Sequence, residues 1–404
     1  MSIITRKLAT FRRVAREEGS GALVRAVENN LRAVPGYESF ARHVRSASVA
    51  PRAIGLRMRH TAPRLVLAYA GGIGDDLLMT VVLRELRRRN YGGVWIISEY
   101  PDLFRYNDDP ELVLRSDRRY EFWMRAFGWD FVMPWYSHMV PGEDRDIPPQ
   151  RHILTTMCEK AGVLGPVTLK PLLELDDDER ERGRRVPNQI AVQSAGMHAR
   201  FAMKTKQWFP ERFQAVVSAL GNDFNFVQVG ARSDPPLDGA LDLRGKTSVR
   251  ETAAILSRSL AFVGQVGMLM HLARAVDCRG VIVYGGRELP TQSGYSCNEN
   301  LYRPVFCSPC WKLNTCGHDM ACMDEITPDD VVRAVRRQVA RHGEPLAVDT
   351  DVITTDDVPV RTGPGGRRLA TVVNVFGAAR EIDAKFPREP RPDAGRVARG
   401  RSVA

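Results

Sequence analysis

The sequence predicts an α/β protein in two halves, each built on a parallel sheet. Three observations carry that expectation. Residues 64–100 run strand, glycine turn, helix, strand. Residues 260–285 repeat that order. Between and around them, apolar runs of strand length alternate with amphipathic segments of helical period. Such units favour parallel sheets, whose ligands gather at the carboxyl ends of the strands.

The elements follow in chain order. In residues 1–60, Leu8, Phe11 and Ala15 share a helical face beside Arg12, Arg13 and Arg16, and Leu23, Val27 and Leu31 repeat the pattern. Basic amphipathic helices of this kind suit either an anionic membrane surface or packing on the body of the protein. RLVLAYA (64–70) is an apolar strand. Gly71 to Asp76 form a glycine turn, LLMTVVLRELRRRN is strongly helical, and VWIISEY (94–100) is the next strand. Residues 119–160, rich in aromatics, are expected to give helices and long loops around a cleft. DDDERERGRRVPNQ (176–189) reads as a helix and a crossing into the second half. There, strands at 189–196, 225–230 and 260–263 alternate with helices at 211–220, 249–259 and 269–276. Gly264 and Gly267 form the turn after Val263, and Gly280 to Gly285 is a further strand entering another glycine turn. Past Asp349 the pattern fades, apart from a short strand in TVVNVF (371–376). The expected organisation is therefore a basic helical extension (1–60), a first domain (61–185), a second domain (186–345) and a largely disordered tail (346–404).

Charge narrows the function. The net charge is +10. Residues 1–60 carry 12 Lys/Arg against 4 Asp/Glu, and residues 361–404 carry 10 against 4. The body between them is therefore net acidic, which argues against a nucleic-acid groove there. There is no run of 18 apolar residues, so no membrane span is expected. The first residues lack the apolar core of a secretory signal. A cytoplasmic location follows, with peripheral inner-membrane contact if the basic helices lie on a membrane. An oligomer is also compatible with the sequence.

The chemistry-bearing residues fall in four places. In the first turn, Gly71, Gly72 and Gly74 let a ligand approach the backbone, and Asp75 opens the helix. There a carboxylate either caps the helix or acts as a general base at the mouth of a cleft. Asp76 is its close competitor. In HARFAMKTKQWFPERF (198–213), Arg200, Lys204 and Lys206 precede a helix start, where a lysine can neutralise a diphosphate leaving group. His271 sits just inside the helix after Gly267, whose N-terminal amides suit a phosphate. Finally, Cys307, Cys310, Cys316 and Cys322 have the spacing x2, x5, x5. Four thiolates so spaced can close around one tetrahedral metal, and metal binding outranks disulfides in a chain with no secretory signal. Cys297 and His318 are substitute ligands, while Cys158 and Cys278 read as buried thiols. Trp135, Tyr136 and His138 are read as core or interface residues.

GGIGDDLLMTVVLREL, KTKQWFPERF, DLRGKTSVRETAAIL and FVGQVGMLMHLARAV, in that order, resemble glycosyltransferase family 9, the ADP-heptose:lipopolysaccharide heptosyltransferase-like enzymes. The resemblance covers roughly residues 64–335. It implies the GT-B architecture, two Rossmann-like domains facing across a cleft. It implies transfer of a sugar, often a heptose, from a nucleotide diphosphate sugar such as ADP-heptose, with inversion and no active-site metal. The acceptor would be a hydroxyl on a glycan, a lipid-linked glycan such as lipopolysaccharide core, or a protein.

Asp75 matches the family's base, Lys206 its phosphate-binding lysine, and Ser194 a hydroxyl near the phosphates. Gly72, Gly74, Gly264, Gly267 and His271 match the segments around the donor. The chain departs from the family at Val266, Gly267 and Met268, where Asp-Ser/Thr-Gly is usual. Asp234 and Glu299 are the acidic candidates to replace the lost carboxylate. The cysteine cluster resembles that of iron-binding heptosyltransferases that modify autotransporter proteins, although zinc is the generic choice for four cysteines. The competing reading is a catalytically silent relative that binds a sugar nucleotide or serves as a scaffold. A two-domain epimerase fits less well, because Asp75 stands where such an enzyme would need a Glu/His pair.

Overall fold

A computed structural model describes residues 49–68, 71–117, 123–124, 126–197 and 201–354, and the backbone of strands 360–362, 368–373 and 379–383. The basic helices expected before residue 49, and Arg200, lie outside the described residues. Two compact units are present: residues 1–62 with 117–129, and residues 63–116 with 130–404. In the first, helix α1 (Ala50–Arg59) starts on a proline and ends in arginines. Both features suit those ends of a helix dipole. The Arg57 guanidinium lies over the Phe127 ring at 5.2 Å.

The second unit holds the predicted second half and the first half without residues 117–129. Strand β1 (Leu65–Ala68) leads into α2 (Ile73–Arg88), then β2 (Val94–Ser98), β3 (Leu112–Arg115) and β4 (Phe131–Val132). These four are parallel, in the order β3-β2-β1-β4. β1 and β2 are buried along their whole length, as expected for parallel strands covered on both faces. α2 has Asp75 and Asp76 in its first turn and Arg87 and Arg88 in its last, and buries Leu77, Leu78, Val81, Val82 and Leu86. Each such side chain contributes roughly 1.5–3 kcal/mol. A short hairpin, β5 (His138–Met139) with β6 (Asp146–Ile147), precedes α3 (Ile153–Lys160) and β7 (Gly165–Thr168).

α4 (Asp177–Arg182) opens the crossing. The second half then runs β8 (Gln189–Val192), α5 (Pro210–Leu220), β9 (Asn225–Gln228), β10 (Ala240–Asp242), α6 (Val249–Ser257), β11 (Ala261–Gln265), α7 (Met268–Ala275), β12 (Gly280–Val283), α8 (Pro290–Ser293) and β13 (Glu299–Leu301). Its parallel sheet has the order β10-β9-β8-β11-β12-β13. In chain order this is 3-2-1-4-5-6, the Rossmann arrangement, with its switch point between β8 and β11. The first sheet switches between β1 and β4 in the same way. The loops after β1, β8 and β11 therefore border the crevices where such folds bind ligands.

α9 (Ala321–Asp324) and α10 (Pro328–Ala340) follow, and β14 (Thr350–Ile353) pairs antiparallel with β7. The chain thus returns from the second half to the first. This corrects the expectation of disorder from residue 346, because 350–353 gain a strand partner that a local pattern could not reveal. The short strand expected in 371–376 corresponds to Arg368–Val373, central in a three-stranded antiparallel sheet with Val360–Thr362 and Ala379–Asp383. Among the described residues no helix is long and apolar enough to cross a membrane.

Candidate active site

The crevice between the two sheets is a cavity of about 360 Å³. Gly72, Gly74 and Asp75 line it from the first half, and Lys206, Gln265, Val266, Gly267, Met268 and His271 from the second. α2 starts where β1 ends, so its first turn faces the cavity. Asp75 Oδ2 accepts the Gly72 amide at 2.8 Å, so the carboxylate does cap its own helix. Its other oxygen, Oδ1, accepts the Tyr136 hydroxyl at 3.1 Å. Burial raises the Asp75 pKa, against those two hydrogen bonds and the charge of Lys206. A raised carboxylate in a cleft is placed to take a proton.

Asp76, its competitor, is engaged elsewhere through Oδ2. It is buried, accepting Ser98 Oγ at 2.5 Å and the Glu99 amide at 3.1 Å. Burial pushes its carboxyl up to about 7. The helix turns it toward β2 while Asp75 lines the cavity.

Lys206 closes a 3₁₀ turn (Lys204–Lys206) before α5. Lys204 is exposed and outside the cavity lining, whereas Lys206 lines it. The Lys206 Nζ lies 2.6 Å from Glu288 Oε1. Burial lowers the ammonium pKa while Glu288 holds it up. Burial likewise pushes the Glu288 carboxyl up, but Lys206 and Arg287 outweigh it and bring the group down to about 2.

The floor is fixed by amides. Gln265 accepts the Trp208 amide at 3.0 Å and donates to Gln207 Oε1 at 2.7 Å, and Gln207 accepts the Gly196 amide at 2.8 Å. His271 is buried, with Nδ1 2.7 Å from the Tyr295 hydroxyl. Burial, then the neighbouring His152 and Lys206, push its pKa down to about 3, so the ring is neutral and has only Nε2 to offer. The sequence marks neither Tyr136 nor Glu288 as a site residue. Tyr136 reads there as an ordinary aromatic, and Glu288 carries only the weak signal of following a glycine turn after a strand.

The four cysteines are free and together line a second, small cavity of about 30 Å³ with Thr205, Arg287 and His318. Gly286 makes room for Cys322 and Ser308, since a Cβ there would stand 3.1 Å from Cys322 Sγ and collide with Ser308 Oγ. The donor set and the shared cavity suit a soft metal ion. Among the described residues, however, no group of three or more His, Cys, Asp or Glu side chains is arranged to hold one. Cys297 lies apart, buried with its thiol against Asn298 at 3.6 Å. Cys158 and Cys278 are buried thiols, as expected.

No family model matches the chain, and no curated protein matches it. Solved structures do. A glycosyltransferase family 9 protein from Veillonella parvula DSM 2008 aligns over 69% of this chain and 97% of its own, with 15% identity and a TM-score of 0.51. E. coli ADP-heptose LPS heptosyltransferase II aligns over 69% and 99%, with 12% identity and a TM-score of 0.53. TibC from enterotoxigenic E. coli H10407, described as an iron-containing dodecameric glycosyltransferase, aligns over 70% and 77%, with 17% identity and a TM-score of 0.51. The fold is the GT-B fold of these glycosyltransferases.

Within that GT-B frame, three sequence expectations need correction. Ser194 does not line the cleft: it is fully buried, donating to the Pro235 carbonyl at 2.6 Å and accepting from Gln228 at 2.9 Å. Gly264 is not in the turn. β11 runs two residues further than expected, and a Cβ at Gly264 would collide with the Phe262 ring, so this glycine serves packing. Glu299 is in β13, paired with Arg337 at 3.0 Å, and not in the cleft. Asp234 does line the cavity, with Oδ2 accepting the Ala231 amide at 3.0 Å. At the departure from the family pattern, Val266, Gly267 and Met268 face the cleft, and a Cβ on Gly74 would stand only 3.3 Å from Met268 Cα.

Proposed function

We propose that this chain is an inverting glycosyltransferase. It moves a sugar, in the first instance a heptose from ADP-heptose, to an acceptor hydroxyl on a glycan or protein. The observation that supports this best is the half-buried Asp75 carboxylate in the cleft of a GT-B fold, raised by burial and facing Lys206. The acceptor oxygen gives its proton to Asp75 and forms the new bond to the anomeric carbon. The bond from that carbon to the diphosphate oxygen breaks, and its electron pair leaves with the diphosphate. Attack opposite the leaving group inverts the centre. Lys206 and the amides of the first turn of α7 meet the charge that develops, so this reading uses no active-site metal. Asp234 follows β9, where Rossmann folds commonly place the acid that binds ribose hydroxyls.

The test is Asp75→Asn. We expect transfer to fall by about 10²–10⁴-fold while ADP binding, measured by calorimetry, survives. Full activity in that variant sinks the assignment. The silent relative is favoured by Val266, which puts no carboxylate where the family has one. Binding of ADP by the wild-type chain without turnover across glycan and protein acceptors would decide for it.

Cys307, Cys310, Cys316 and Cys322 would hold one structural metal, iron or zinc, in this reading, drawing together around it from an arrangement that does not yet form a metal site. Its role is to clamp the loop, since four cysteine ligands leave no open position. The support is the shared cavity and the fold common with TibC. Elemental analysis of protein purified without added metal should give about one Fe or Zn per chain. No metal, with all four thiols reactive, rejects it. The basic N-terminus predicts co-sedimentation with anionic vesicles, lost in a chain starting near residue 61.

A further inference from the structure

We propose that Glu288 is a positioning residue for Lys206, holding its ammonium charged and in place and tying it to the cysteine-rich loop. This rests on the reading of Lys206 as the group that meets the donor diphosphate. Glu288 is 3% exposed and Arg287 2%, so neither charge is solvated. Glu288 Oε1 is shared between Lys206 Nζ at 2.6 Å and Arg287 Nη1 at 3.2 Å. Arg287 continues the chain of charges to Asp146 Oδ2 at 2.7 Å, donates to the Lys312 carbonyl at 3.1 Å, and stacks on Trp311 at 4.4 Å.

The other side of Lys206 rests on the same loop. Thr205 Oγ1 donates to the Lys312 carbonyl at 2.6 Å, and its amide donates to the Leu313 carbonyl at 3.2 Å. The Asp146 amide donates to the Trp311 carbonyl at 2.9 Å. Residues 311–313, between Cys310 and Cys316, therefore brace both the backbone that carries Lys206 and the ion pair that holds its tip.

A buried ion pair could instead serve the fold alone. The two roles differ in what they do to Lys206. The charged and titratable groups facing its ammonium are Glu288 and Arg287 after β12, Asp75 on α2, Asp146 on β6 and the neutral His271 on α7. Burial already lowers its pKa, and Arg287 lowers it further. Without the Glu288 charge the ammonium loses its closest anion and deprotonates at lower pH.

The test uses the full chain with Glu288→Gln, and Glu288→Asp as the conservative rescue. Competitive acylation read by mass spectrometry should show Lys206 reacting faster near pH 8 in Glu288→Gln, and near the wild-type rate in Glu288→Asp. ADP binding by calorimetry should weaken by about tenfold in Glu288→Gln and fall off as pH rises, with no further loss when Lys206→Ala is already present. Equal losses with and without Lys206→Ala in the background, or unchanged acylation, would overturn the proposal. If Glu288→Gln does not fold, the wild-type chain carries the test, and a pH dependence of ADP binding that is unchanged by Lys206→Ala overturns the proposal. Failure of the wild-type chain to bind ADP would count against the donor reading of the cleft, while the acylation shift still decides the pairing.

Discussion

Tyr136 donates its hydroxyl to Asp75 Oδ1 at 3.1 Å, while the Gly72 amide takes Oδ2. The two donors hold the carboxylate as an anion against its burial and fix its direction. Tyr136→Phe removes one hydrogen bond to a charged group, about 1.5–3 kcal/mol. The Asp75 pKa then rises further. In the proposed reaction Asp75 works only when deprotonated, so the rate climbs with pH through that pKa, and in the variant the climb shifts to higher pH. We expect the acid limb of the kcat/KM profile to move to higher pH in Tyr136→Phe, with kcat/KM lowered on that limb and ADP affinity unchanged. Superimposable pH–rate profiles for the two proteins would contradict this.

Ser194 separates a structural hydroxyl from a phosphate ligand. Its Oγ donates to the Pro235 carbonyl and accepts from Gln228, and Gln228 also donates to that carbonyl at 2.7 Å. Ser194→Ala therefore strands neither partner completely. The expected cost is about 1 kcal/mol of stability, seen in a urea melt, with the KM for donor unaltered. A raised KM in a protein of normal stability would restore the phosphate role.

What the sequence makes legible follows from the range of each signal. Strand and helix periods are local, so β1, α2, β8, β11 and α7 are readable within a few residues. The glycine turn before Asp75 is readable for the same reason. Tyr136 meets Asp75 across 61 residues, and Glu288 meets Lys206 across more than that. Nothing in the local pattern of either partner marks such a pairing. β14 has the same difficulty, because its partner β7 lies in the other half of the fold. Ser194 and Gly264 mislead for a different reason. Motif position tells which loop a residue belongs to, but a strand that runs on by two residues, or a side chain turned into the core, decides whether it reaches the cleft.

Asp76 makes stability depend on pH. Its carboxyl is raised by burial to about 7 in the folded protein from 3.8. The folded state therefore keeps a proton that the unfolded chain gives up. The contribution is fully present below the unfolded value and is lost as pH rises toward the folded one. Melting at constant ionic strength should show stability falling between about pH 4 and pH 7, by a few kcal/mol at most. Asp76→Asn, which keeps a hydrogen-bonding side chain without the titration, should flatten that slope. A slope unchanged in Asp76→Asn would assign it to other groups.

Gly74 sets how closely the two halves approach at the cleft. A Cβ there would stand 3.3 Å from both Met268 Cα and Cβ. Alanine needs a shift of a few tenths of an ångström, and valine adds two further carbons against the backbone of α7. The wedge would part α2 from α7, and with them Asp75 from the turn at Gly267 and from His271. A misplacement of about 1 Å can cost 10²-fold in rate. We expect Gly74→Ala to lower kcat by several-fold and Gly74→Val by about tenfold to a hundredfold. The cost to stability should be smaller than to rate, because the first turn of α2 lies at the edge of the core. The measurement is kcat beside a thermal melt for both variants. Wild-type turnover in Gly74→Val would mean that the halves need not close to this spacing for transfer.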